Sequence, residues 1–434
     1  MKPKRFTKPE WSWIMYDWAN SIWATNIMSA IFPIFFAMIA TDRGDVIYGY
    51  AVSIGNLAVA VLAPYLGAIG DFRGMKKKLW AGFMLAGVIF TAVMGIAGSW
   101  QLMLVGFVIS RIGFSGSCLF YDSFLTDVTE KDRMDKVSAW GYAMGYIGGS
   151  TIPFIISIVV MLIMNMSELS YRIAILIVPV WWLIFSVPFW KNVEQKHSVD
   201  TPPSKLLRSA GSNMIGTFKD ILKNKAVLFF VIAYFFYIDG VSTIISMATN
   251  YGSTLGLGTI GMILALLVTQ VVAMPFTILF GKLSGKKGPL TMIGAAVIIY
   301  ACITVVGFFM GFLIDYYDAL GIAYESALSV SNVLFWILAT LVGTVQGGIQ
   351  ALSRSYFGKI IPAERSNEYY GFMDILGKFS CVIGPALYAL VFDLTGKACL
   401  GILSLIVLFI AGAVFLRVGK PHFDKAEAEQ QDAA

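Results

Sequence analysis

Tyr16-Asp17-Trp18-Ala19-Asn20-Ser21 stands near the start of an otherwise apolar run, 11–40, and the reading of that run decides the fold. About 20 apolar residues rising about 1.5 Å each cross the hydrocarbon layer of a bilayer, so this run crosses with turns to spare. Asp17 and Asn20 are three residues apart and share one helix face. A carboxylate in lipid is costly unless it faces protein, water or a partner charge. The run therefore reads as a membrane helix that carries a functional acid.

The rest of the 434 residues agree with that environment. The chain is 58% hydrophobic and only 13% charged, with a mean hydropathy of +0.75. A soluble domain carries about 25% charge, so a polytopic membrane protein is the class that fits. The net charge of +6 is modest and spread over short loops, which argues against a nucleic-acid face. Cys118, Cys302, Cys381 and Cys399 lie in apolar segments without metal-ligand spacing and read as small buried hydrophobes. His197 and His422 both fall in polar segments, which leaves no histidine for an intramembrane relay or zinc site. The basic start Lys2-Pro3-Lys4-Arg5 leads straight into the first span, with no sign of a cleavable signal.

Apolar runs of spanning length predict twelve helices, at 12–40, 46–70, 78–98, 101–124, 137–164, 169–190, 225–251, 259–283, 289–314, 329–356, 370–393 and 397–418. Of the 32 Lys and Arg residues, 27 fall on the side that holds both tails, whereas the opposite loops hold only Arg43, Arg172 and Lys397. The positive-inside rule then places both termini in the cytoplasm, and a bacterial inner membrane is the expected location. The expected architecture is an all-α membrane protein of two six-helix bundles, 1–190 and 225–418. A basic cytoplasmic linker at 191–224 lies near the anionic leaflet, and a tail covers 419–434. The halves echo one another: Ser123 precedes Arg133 by ten residues after helix 4, as Ser355 precedes Arg365 after helix 10. Such repeats mark many secondary transporters, whose solute sits between the halves.

The second run ends in Gly67-Ala68-Ile69-Gly70-Asp71-Phe72-Arg73-Gly74-Met75-Lys76-Lys77. This resembles the loop signature of the major facilitator superfamily, Gly-x-x-x-Asp-Arg-x-Gly-Arg-Lys. The resemblance implies a cytoplasmic gate in which Asp71 meets the start of helix 11, where a helix dipole favours a carboxylate. It gives Gly67, Arg73 and Gly74 supporting parts. Phe72 and Met75 stand where basic residues are usual, and the matching stretch of the second half has Gly285 in place of the acid. Tyr16-Asp17-Trp18-Ala19-Asn20-Ser21, Phe32-Pro33-Ile34-Phe35-Phe36, Phe120-Tyr121-Asp122-Ser123-Phe124-Leu125 and Gln350-Ala351-Leu352-Ser353-Arg354-Ser355 are similar to the vacuole-effluxer-like branch of that superfamily. That branch implies a solute carrier, with amino-acid export attached to its fungal members.

The candidate site residues follow from polar groups inside spans, on helices 1, 4, 7, 10 and 11. Asp17 and Asn20 read as substrate or proton ligands at the inner mouth, or as a first-turn acid favoured by the helix dipole. Arg111, near the middle of helix 4, offers a planar fork to a substrate carboxylate or phosphate, or forms a structural ion pair. Asp122 lies three turns further along the same face and reads as a gating residue or a solvated helix end. Asp239 on helix 7 is the proton-coupling candidate, against a plain pair with Arg111 or Lys378. Gln346, Gln350 and Arg354 descend one face of helix 10. The glutamines are candidate substrate ligands, and Arg354 is either a gate residue or one that only snorkels. Lys378 joins the substrate set unless it pairs with Asp374 four residues away. The many aromatics read as belt residues facing lipid or interface.

The function expected from these features is secondary transport of a small polar solute, an amino acid or related metabolite, by alternating access with proton coupling. A permease for bulkier metabolites such as peptidoglycan fragments is the alternative within transport. Outside transport stand a sensor, whose output domain the short loops leave no room for, and an enzyme, whose nucleophile or metal set is hard to assemble here. No Gly-x-x-x-x-Gly-Lys-Ser/Thr loop occurs, which speaks against ATP-driven pumping. The expected partners are the solute, a proton and the lipid bilayer, with no cofactor and a monomeric chain.

Overall fold

The computed structural model describes residues 5–40, 44–200, 206–321 and 324–432. Arg43 of the charge count and the Thr201-Pro202-Pro203-Ser204 stretch of the linker lie outside the described residues, as do Lys2, Pro3 and Lys4. Among the described residues, twelve helices are long and apolar enough to cross a membrane: Lys8–Ile39, Ile47–Gly70, Met75–Ile96, Trp100–Val128, Met134–Ile163, Glu168–Asn192, Lys225–Thr254, Leu264–Lys287, Pro289–Tyr317, Tyr324–Ile360, Ala363–Thr395 and Ala398–Glu429. They are called spans 1 to 12. Several run past their apolar stretches, as span 4 does to Val128 and span 10 to Ile360. Hydropathy marks only the part of a helix that lipid covers, and polar turns beyond it stay helical.

Local chemistry sets the ends. Thr7 caps span 1 in a capping box with Glu10, and Asn224 caps span 7 through the amide of Val227. Gly74, at φ +74°, makes the left-handed turn between spans 2 and 3 that other residues adopt only with strain. Spans 1 and 5 each contain a widened π-helical stretch, Trp23–Ala30 and Gly145–Thr151. Where they pack, a Cβ on Gly149 would stand 2.5 Å from Cβ of Ser21, so small residues let the two helices approach.

The expected linker is more ordered than its composition suggests. Residues 193–199 run along the span 2–3 turn, joined to it by a short parallel bridge between Phe72 and Val199. After it comes an 18-residue helix, Leu206–Lys223, one residue short of span 7.

The chain divides into two compact units. The first comprises Met1–Lys219 and Ile361–Ile375, so it holds the start of span 11 along with spans 1 to 6. Its core is aromatic. Trp13, Trp23, Trp80 and Trp182 are fully or almost fully buried, which departs from the expectation that the aromatics face lipid. Three of these indoles find interior acceptors: Trp13 donates to the Tyr121 carbonyl at 2.8 Å, Trp23 to Ser110 at 2.7 Å and Trp182 to the Tyr16 hydroxyl at 3.3 Å. A satisfied N–H removes the main penalty for burying the ring.

The second unit comprises Asp220–Ile360 and Leu376–Ala434. Its spans also meet at small residues: a Cβ on Gly343 would stand 2.9 Å from the Thr269 carbonyl, and one on Gly240 2.5 Å from the Phe409 ring. Cys399 is buried as expected, but Cys302 is exposed on span 9 and Cys118 is half-buried. The side chain of Cys381 is outside the described residues.

Candidate functional site

In the first half of span 1, Asp17 and Asn20 turn toward span 4. Asp17 accepts a hydrogen bond from the Tyr121 hydroxyl at 2.7 Å, and Asn20 donates to the Cys118 sulfur at 3.7 Å. Both are nearly buried, so the chemistry of this acid is tied to a tyrosine that also stacks on Trp13 at 4.4 Å between ring centres. Further along span 4, Arg111 donates through Nε and Nη2 to Asn56 Oδ1, at 3.2 and 2.6 Å, and through Nη1 to the Met28 sulfur. Gly55 makes room for it, since a Cβ there would stand 2.7 Å from Arg111 Cδ. Asn56, Met28 and Gly55 carried no signal in the sequence, because each is an ordinary residue until the arginine lies beside it.

Asp71 is the centre of a polar cluster in the first unit. Its carboxylate accepts the backbone amides of Asn367 and Glu368, at 2.9 and 3.0 Å, and the Asn367 side-chain amide at 2.8 Å. These are amides of the first turn of span 11, which have no partner within the helix. Burial pushes the Asp71 carboxyl up to about 7, with Lys76 and the Asn367 and Glu368 amides pulling the other way. Gly67 is needed because a Cβ would stand 2.5 Å from the Asn367 carbonyl oxygen.

The cationic part belongs to Lys76, which sequence reasoning passed over. Its ammonium is fully buried and bonds Asp127 at 2.7 Å and Ser366 at 2.9 Å. Arg73, by contrast, is exposed, and Asp122 is only half-buried. The end of span 4 therefore offers Asp127, five residues beyond Asp122, to the buried lysine. The strap 193–199 completes the cluster. The Gln195 amide donates to the carbonyls of Gly70 and Phe72, at 3.2 and 3.3 Å. The backbone amides of Lys196 and His197 donate to Asp127 Oδ1, at 2.9 and 2.8 Å, and the His197 ring lies 3.2 Å from the same oxygen. The bond to Asp127 raises the His197 pKa. His197 does lie outside the spans, as its polar neighbours imply, yet it is bonded to a buried acid.

The echoed arginines take different partners. Arg133 grips Glu10 of span 1 with two bonds of 2.7 Å, whereas Arg365 bonds Glu368 at 3.3 Å and Thr217 of the Leu206–Lys223 helix.

In the second unit, Asp239 is fully buried in the middle of span 7. Its Oδ1 accepts the backbone amide of Gly384 on span 11 at 3.0 Å and the Thr243 hydroxyl at 3.4 Å. Its Oδ2 is buried with no hydrogen-bond partner among the described residues. Gly384 precedes Pro385, which interrupts the helix ladder of span 11. On span 10, Gln350 donates to the Gln346 carbonyl at 3.0 Å. Gln346 lines an otherwise largely apolar cavity of this unit with Tyr251, Thr269, Gln270 and Phe335. Arg354 is buried, so it does not snorkel to the surface as its place near the helix end allowed. Lys378 and Asp374 are both half-buried on span 11.

Twelve spanning helices among the described residues define the class: an integral multi-pass membrane protein of the major facilitator type, a transporter fold. Solved structures agree on the fold. The major facilitator transporter FucP superposes with a TM-score of 0.67 at 14% identity, covering 95% of this chain and 98% of that one. A bacterial homologue of the iron transporter ferroportin gives 0.64 at 14% identity, covering 97% and 98%. Residues 46–429 match the family described as vacuole effluxer Atg22 like, and the chain belongs to that family. The MFS-type transporter YxiO of Bacillus subtilis (strain 168) is 42% identical over 99% of both chains. Autophagy-related protein 22 of Yarrowia lipolytica is 27% identical over 63% of this chain, and the match spans about half of the fungal protein, 48%.

Proposed function

We propose that this transporter moves a small polar solute, an amino acid or related metabolite, by alternating access, and that a proton on Asp239 couples the movement to the proton gradient. The observation that carries the reading is the Asp239 carboxyl itself. One oxygen is held by the Gly384 amide, while the other is buried without a partner among the described residues. An ionised carboxylate in that setting leaves charge on an unsatisfied oxygen, and taking up a proton removes the charge. Proton release then requires access to water, which alternating access supplies on one side at a time. Arg111 is assigned to the solute's carboxylate, with Asp17, Asn20, Gln346, Gln350 and Lys378 as further polar contacts. The family description, vacuole effluxer, supports a transport role, and the inward tails and inner-membrane location are part of the same proposal.

The test is transport in reconstituted vesicles. Asp239→Asn abolishes flux driven by a proton gradient and spares solute exchange, since exchange need not move a proton. Equal gradient-driven uptake by variant and wild type would sink the coupling assignment. Competition of amino acids against muropeptides for the same flux separates the leading solute class from the bulkier one.

A further inference from the structure

Over 214–223 of the Leu206–Lys223 helix, an apolar stripe is exposed although it lies outside every span. Among the described large hydrophobic residues exposed to the surroundings, nearly all stand on spans, where acyl chains cover them. The exceptions are Met166 and Leu320, single residues near turns, and Ile215, Phe218 and Leu222 on this one helix. At about 100° per residue these three fall within an arc of about 60°. They are 55%, 51% and 50% exposed.

The opposite face of this stretch is committed, and one edge of the stripe has a protein neighbour. Thr217 and Ile221 are buried, Thr217 accepts from Arg365, and the Phe218 ring leans on Phe372 of span 11 at 6.1 Å between centres. Lys219 and Lys223 are exposed and flank the apolar arc on one side, whereas Asp220 points well away from it. This arrangement of an apolar stripe edged by lysines is that of a helix lying in a bilayer interface, with its ammonium groups among the headgroups. The helix also ends one residue before span 7, so its C-terminal end sits where the chain enters the membrane.

We propose that the Ile215–Phe218–Leu222 stripe docks on the bilayer surface from which span 7 starts, held there by anionic headgroups at Lys219 and Lys223. Because Thr217 on its other face accepts from Arg365 and Phe218 at the edge of the stripe leans on Phe372, the docked helix ties the first turns of span 11 to the lipid surface. The start of span 11 thus answers to the lipid composition of the leaflet. Each basic residue near an anionic surface contributes additively, so two lysines give a measurable dependence on headgroup charge.

Hydrogen exchange of peptide 206–223 in the full-length protein, in nanodiscs of phosphatidylcholine with and without phosphatidylglycerol, tests this. The expected result is exchange about tenfold slower with the anionic lipid. Lys219→Gln with Lys223→Gln removes that difference while the spans keep their protection. Phe218→Ser with Leu222→Ser speeds exchange in both lipids. Identical exchange of the wild type in the two lipids overturns the proposal. So does equal slowing by soluble glycerol phosphate in neutral nanodiscs, which would make a free phosphate the ligand and not a surface.

Discussion

His197 lies outside the spans, and folding changes its proton binding. Beside it stand Asp127, Lys76 and Glu364, and the bond to Asp127 raises its pKa above the ordinary 6.5. A group that binds its proton more tightly when folded contributes stability that is complete below pH 6.5. That contribution is lost as pH rises through the raised value. Thermal melting of the purified protein between about pH 6 and about pH 8 therefore falls for the wild type, and His197→Ala flattens the dependence. The ring is 38% exposed, so solvent screening keeps the effect modest. Lys76 makes the opposite case. Its pair with Asp127 is fully buried, and Lys76→Met leaves an acid in the interior at a cost of about 3–5 kcal/mol, read as a fall in melting temperature.

At the scale of elements, span 11 is held in two places by acids. Asp71 takes the free amides of its first turn, and Asp239 takes the Gly384 amide just before Pro385. Gly67 lets the first contact form. Gly67→Ala drives a Cβ against the Asn367 carbonyl, and overpacking of this kind costs about 1–3 kcal/mol. Faster hydrogen exchange in 361–375, with span 9 unaffected, is the expected result; unchanged exchange there would show that the neighbouring backbone yields freely. Asp71→Asn keeps the shape but removes the charge that a helix N-terminus favours, and the same peptide reports a smaller loss, about 1 kcal/mol.

At the scale of the molecule, the charge bias of the loops and the polar groups within spans make separate claims. If 27 of 32 basic residues mark the inner side, an impermeant protease cuts both tails in inside-out vesicles and neither in right-side-out ones. Cleavage of one tail in each preparation would break the topology. If Arg111 holds a carboxylate, Arg111→Ala loses affinity for anionic and zwitterionic solutes by about tenfold to a hundredfold, the size of a charge-assisted bond. A scintillation proximity assay reads that loss directly, and unaltered affinity rules the residue out as a ligand.

Twelve spans and the Asp71 turn were legible because lipid imposes its demands locally. A window of apolar residues must match the hydrocarbon thickness, and a motif of Gly, Asp and Gly makes its turn within ten residues. The sequence could also place Asp17 and Asn20 on one face and Asp239 in the middle of a span. Partners separated along the chain were not legible. Lys76 meets Asp127 and Ser366, Asp71 meets Asn367, and His197 reaches Asp127 only because folding brings distant segments together. Nor did composition distinguish a basic linker from the helix Leu206–Lys223. Burial and the choice among several nearby acids and lysines depend on which backbone lies opposite, and only the tertiary structure decides that.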